Sequence, residues 1–332
     1  MEETMNPLQT SGTFAKGAMK KAGVFFLILM VLELPLSLVI LMLNNKVSQE
    51  VGTLISVLTT QLYLLLAGVV FLLVTRTSMK RDLDMKSYKV STFFLSILAL
   101  ITATPMASFL NILSQLFVTN ATNQAIFGMT EIIPIWLGIL TIGCLPGFVE
   151  ELLFRGIMYS AFKKHSILAG IIISAFSFGI MHMNFNQMLY AIYLGIVFAL
   201  IVEATGSLAS SMILHMLFNG VNTLYVYALP KLYEFLGQYS SAYENFDISD
   251  AMNVTPTKSQ ILMMVVMIAP IAIGGVVLTI LLLKAIANLN GRTLTLKSIV
   301  EKKTAEKVKP VGVCLILGWL FCLAFCILNA IG

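Results

Sequence analysis

The sequence predicts an all-α fold, a polytopic transmembrane helix bundle of about nine spans, within bounds of eight to ten. Composition points there first: of 332 residues, 58% are hydrophobic and only 11% charged, against roughly 45–50% and 25% in soluble domains. Apolar runs of about twenty residues, the length that crosses a hydrocarbon core near 30 Å thick, recur along the chain. Lipid tolerates only helices and closed barrels, because every backbone polar group must find its partner within the protein.

The elements follow in order. Lysines at 16, 20 and 21 precede a run at 22–44. That run is too long for a secretory core, and "NNKVSQE" after it offers no small-residue cleavage site, so it is read as a retained first span. Runs at 53–75 and 91–115 supply the next two. An apolar stretch from 129 to 162 is one long crossing bent near Pro146-Gly147, or two short ones. Spans at 166–184, 188–204 and 206–229 are joined by "KKHS", "MNFNQ" and "EATGS", connections short enough to force antiparallel neighbours. The chain therefore divides into N-terminal transmembrane helices (1–128), a four-helix core (129–229), and an external loop with C-terminal helices at 260–287 and 311–331 (230–332).

Charge sets the orientation. Basic residues cluster at 16–21, in "RTSMKRDLDMK" at 76–86, and from Lys284 to Lys309, which holds seven. The positive-inside tendency makes these cytoplasmic, whereas the acidic loop at 230–259, with Glu234, Glu244, Asp247 and Asp250, reads as external. These assignments agree if 129–162 crosses once. The net charge of +5 mostly reflects such basic loops at the membrane surface rather than a nucleic-acid site, and no nucleic-acid partner is expected. Cysteines 144, 314, 322 and 326 all lie in apolar runs and read as packing residues.

Against this background "VEELLFRG" at 149–156 stands out, two carboxylates and an arginine after eighteen uncharged residues. Two of the three histidines fall inside apolar helices, His182 in "FSFGIMHMN" and His215 in "SMILHMLFNG", with Asn219 one turn beyond His215 on the same face. Ionisable groups within spans are costly and point to function. Counting about 1.5 Å per residue from the turns, Glu150, His182, His215 and Asn219 reach similar depth. Glu151 and Arg155, spaced i,i+4, predict an intrahelical ion pair. Successive residues point about 100° apart on a helix, so Glu151 is assigned to Arg155 and Glu150 to the histidines. A carboxylate in an apolar pocket is a stronger base, suited to activating water. Protonated imidazole and the Asn219 amide suit an oxyanion. Glu33 and Glu131 are read as structural, His165 as solvated in its turn, and Phe178 as packing.

"EELLFRG" at 150–156, Phe178 to His182 as F-x-x-x-H, and His215 to Asn219 as H-x-x-x-N resemble, in order and spacing, the motifs of the CAAX protease and bacteriocin-processing (CPBP, or Abi) intramembrane proteases. The likeness covers about 145–225. It implies an intramembrane endopeptidase with 129–229 as catalytic core, catalytic residues Glu150, Glu151, His182, His215 and Asn219, and supporting residues Arg155 and Phe178. Leu145-Pro146 followed by Gly147, Phe148 and Val149 departs from the family's pattern, which implies a local change in how that helix bends.

Two further classes stand beside it: a noncatalytic family member acting as an immunity or scaffold protein, and a transporter, for which paired halves are missing. Zinc on Glu150, His182 and His215 is the alternative to a metal-free glutamate mechanism, although no H-E-x-x-H occurs. Eukaryotic relatives cut prenylated proteins. The short loops and lack of organelle signals lead to a bacterial plasma-membrane enzyme acting on leader or pheromone peptides.

Overall fold

A computed structural model describes residues 7–130, 132–239, 256–303 and 308–331. Among these the chain is helical, with no strand. Nine helices form the bundle: α1 (Pro7–Asn44), α2 (Gln49–Thr75), α3 (Val90–Ser114), α4 (Ile135–Phe162), α5 (Ile167–Ile180), α6 (Phe185–Thr205), α7 (Leu208–Gly237), α8 (Lys258–Leu289) and α9 (Val313–Ile331). Eight are long and apolar enough to span a membrane, and α5 is a shorter apolar helix. The protein is a multi-pass membrane protein. Glu131 and the acidic residues at 244, 247 and 250 lie outside the described residues.

Local chemistry sets the helix ends. Ser48, Ser166 and Asn184 each accept a backbone N–H at the start of α2, α5 and α6, and a capping box at Thr257 opens α8. α2 stops at Arg76 in the left-handed region, with φ 55°.

Three expectations about helix bounds need correction. Residues 129–162 do break, but at Pro134 rather than at Pro146-Gly147. A short helix, Ala121–Thr130, ends before Pro134, which caps α4, because a proline disfavours helical backbone in the residue before it. α4 then runs unbroken, as a single crossing, with π-helical turns over Ile139–Cys144 and Leu152–Tyr159 and α-helical turns over Leu145–Glu151 between them. Pro146 lacks an N–H and crowds the preceding turn, and the wider π turn before it accommodates both.

The second concerns His182, which follows α5 instead of lying inside it. The helix ends at Ile180, Met183 takes φ 49°, and Asn184 already caps α6. Thirdly, the helix ending the core does not stop at 229 but continues through Pro230 to Gly237.

α4, α5, α6 and α7 pack together: α5 against α6 and the second π stretch of α4, α7 against the first half of α4, and α6 against α7. The α3–α8 pair flanks α6, the α1–α9 pair reaches α5 and the end of α4, and α2 lies against α4. Gly147 permits a close approach of α4 to α7, since a Cβ there would sit 2.6 Å from the backbone nitrogen of Met216, next to His215. The departure at Leu145-Pro146-Gly147 thus governs helix contact.

One end of the bundle is laced by polar contacts. Asp84 accepts from Lys86 at 2.7 Å and Lys163 at 3.1 Å. Burial alone would raise the Asp84 carboxyl, but these two ammonium groups outweigh it and hold it below the ordinary carboxylate range. Ser207 donates to the Lys86 carbonyl, and Arg292 and Tyr159 both donate to the Glu203 carboxylate, at 2.9 and 2.5 Å. Lys303 N–H donates to the His165 carbonyl at 2.7 Å. His165 is therefore buried, 7% exposed, and not solvated as its turn position predicts, because the segment after α8 folds back over it. All three basic clusters gather at this end, for Lys164 also lies over the Phe14 ring of α1. At the opposite end Asn186 donates to Ser114 at 2.8 Å, tying α6 to α3, and Asn329 donates to the Met183 carbonyl at 3.0 Å.

Candidate active site

Glu150 and Glu151 occupy the α-helical turn of α4, between its two π stretches, and both are buried. Glu151 accepts from Arg155 Nη1 at 2.8 Å, the ion pair predicted by their spacing. Arg155 is itself fully buried. Its Nε and Nη2 have no hydrogen-bond partner among the described residues. The guanidinium instead faces aromatic rings, 4.3 Å from the centroid of Phe178 and 5.5 Å from that of Phe198, where cation–π attraction offsets part of the lost hydration. Gly195 leaves the room: a Cβ there would lie 2.9 Å from Arg155 Nη2.

His215 joins the two acids. Its Nδ1 lies 3.0 Å from Glu151 Oε1, and its Nε2 lies 3.8 Å from Glu150 Oε2. A carboxylate only accepts, so Nδ1 carries a proton, and Nε2 is turned to Glu150. This corrects the expected division between the neighbouring carboxylates. The 100° between them is real, but the imidazole reaches both because its two nitrogens sit on different edges of the ring. The ring is held by stacking on Phe198 at 5.1 Å and edge contact with Phe178 at 5.7 Å.

His182 is half-buried and donates from Nδ1 to the Phe178 carbonyl at 2.9 Å, which leaves Nε2 to act. Its ring meets Phe178 edge-on at 5.1 Å. Phe178 thus separates the two imidazoles while covering Arg155, a larger part than plain packing. Asn219 is half-buried one turn after His215, and its backbone carbonyl accepts from Thr223. Glu33 lies elsewhere in the bundle, within electrostatic reach of Tyr63 and Cys322.

Sequence reasoning missed two contacts. Gln61 of α2 donates from Nε2 to Glu150 Oε1 at 3.0 Å. As a lone amide within an apolar span it carried a signal, but nothing in the spacing tied it to the acidic pair. Phe198 carried none, being one aromatic among many in a span.

Among the described residues, no three His, Cys, Asp or Glu side chains are disposed to hold a metal ion. Within the trio expected to hold zinc, Glu150 Oε1 accepts from Gln61 and His182 Nδ1 donates to the Phe178 carbonyl, while Glu150 Oε2 faces His215 Nε2 at 3.8 Å.

Residues 132–221 match the family model described as "Type II CAAX prenyl endopeptidase Rce1-like". This segment is similar to the CAAX protease family. It runs from just before α4 to the middle of α7 and contains every site residue named from the sequence. The CAAX protease assignment supports an endopeptidase acting on a peptide or protein in the membrane. No curated protein and no solved structure matches the chain.

Proposed function

We propose that the protein is an intramembrane endopeptidase in which Glu150 activates water without a metal. The observation that carries this reading is the buried Glu150 carboxylate, with one oxygen held by Gln61 and the other facing His215 Nε2. In the ionised form it takes a proton from water, and the hydroxide adds to the scissile carbonyl carbon. The carbonyl oxygen becomes an oxyanion, for which the Asn219 amide and protonated His215 are the donors. Glu150 then returns the proton to the leaving amine as the C–N bond breaks. Glu151 accepts from His215 Nδ1 and so fixes which nitrogen faces the reaction. His182, its Nδ1 engaged, offers Nε2 to hold the attacking water.

The substrate is a membrane-associated peptide. Short connections between core helices favour a bacterial plasma-membrane enzyme with leader or pheromone peptides as substrates. The test uses the purified protein in proteoliposomes with two quenched-fluorescent probes, a farnesylated peptide ending in a CAAX sequence and an unprenylated apolar leader-type peptide. Wild type is expected to cleave at least one, and Glu150→Gln neither, at an unchanged melting temperature. Cleavage by Glu150→Gln at near wild-type rate overturns the reading.

A further inference from the structure

We infer that Gln61 is a positioning residue for Glu150, an inference that rests on the function proposed above. The buried residues of α2 are Gly52, Gln61, Leu64 and Gly68, and the last three, spaced i, i+3 and i+7, share one face. That face meets the catalytic helix, since a Cβ at Gly68 would lie 2.8 Å from Leu153. The opposite face is apolar and exposed at Leu58, Leu62, Leu66 and Val69. Gln61 is therefore an amide in a lipid-spanning helix, 7% exposed, whose hydrogen bond goes to the reacting carboxylate.

The geometry fits orientation better than structural support. Nε2 donates to Oε1 of Glu150, the oxygen that does not face His215, so the carboxyl plane is fixed and Oε2 alone is left toward the imidazole. Meanwhile Gln61 Oε1 has no hydrogen-bond partner among the described residues. A buried acceptor without a partner opposes folding, so the fold gains little from this side chain. An apolar residue there would suit the bilayer as well or better. What it would lose is the fixed direction of the general base, and a misplacement of about 1 Å at a reacting group costs about 10²-fold in rate.

The experiment compares Gln61→Leu, the isosteric Gln61→Glu and wild type in the proteoliposome assay, on whichever probe wild type cleaves, with melting temperatures measured in detergent. Gln61→Leu is expected to lower kcat by about 10²-fold at unchanged KM, with a melting temperature equal to or above wild type. Gln61→Glu, which keeps the shape but replaces the donor with an acid, is expected to be no better. Wild-type kcat in Gln61→Leu overturns the inference. So does a kcat loss accompanied in both variants by a lower melting temperature, which assigns Gln61 to the fold. Glu150→Gln, assayed alongside, separates the two claims. If it still cleaves, the proposed function falls; if it is inactive while Gln61→Leu keeps wild-type kcat, only the positioning role falls.

Discussion

Arg155 is a full charge with no exposed surface, and its hydrogen-bonded counter-ion is Glu151. Removing one partner of such a pair strands the other, at about 3–5 kcal/mol. Glu151→Gln is therefore expected to lower the melting temperature in detergent, whereas Glu150→Gln, which leaves Arg155 paired, is not. Equal stability of the two variants would refute this separation. Because Glu151 also orients His215, the two residues act as a unit and their losses should not multiply. The double variant Glu151→Gln with His215→Ala should cleave scarcely more slowly than the slower single. At this scale most of the site was legible, since Glu150, Glu151, Arg155, His182, His215 and Asn219 are polar groups in apolar runs. The partners that hold them were not. Phe198 carries no mark that separates it from packing aromatics, and Gln61 stands 89 residues from Glu150, a distance that only folding closes.

At the scale of helices, the seam between α4 and α7 depends on Gly147. An added methyl would meet the Met216 backbone, which cannot swing aside as a side-chain tip can. Gly147→Ala is expected to destabilise by about 1–3 kcal/mol, as overpacking does, and to reduce cleavage by moving His215 away from the acids. Gly220, on the same α7 helix, is the control, because its Cβ would point into open space. Gly220→Ala should gain up to about 1 kcal/mol from helix propensity alone. Equal melting temperatures for the two variants would show that the seam is not tight. Apolar runs made the helices legible, but the π turns flanking the acids were not, since an apolar run reads the same whether its turns are α or π. The end of α5 was obscured for a related reason: "IMHMN" continues an apolar run, and only the cap at Asn184 and the left-handed Met183 reveal that the chain has already turned.

Across the whole molecule, the contacts at the two ends agree with the charge pattern. The loops after α2, α4, α6 and α8 share the end rich in lysine and arginine, and those after α3 and α5 share the other. Positive-inside bias makes the basic end cytoplasmic. With cysteine introduced in a background lacking the native four, Lys80→Cys should react with an impermeant thiol reagent only from the cytoplasmic side. Phe117→Cys, at a residue 82% exposed, should react only from outside. The reverse labelling would invert the protein in the membrane.

The brevity of α5 bears on the depth at which the chain turns. Its fourteen residues span about 21 Å at 1.5 Å per residue, against a hydrocarbon core near 30 Å, while α8, with 32 residues, is more than long enough. Ten of those fourteen residues are buried among neighbouring helices, so the shortfall is made up by protein rather than by lipid. The chain therefore reverses at membrane depth, where backbone outside a helix is tolerated only if protein or a water-filled cavity surrounds it. His182 stands on that reversal.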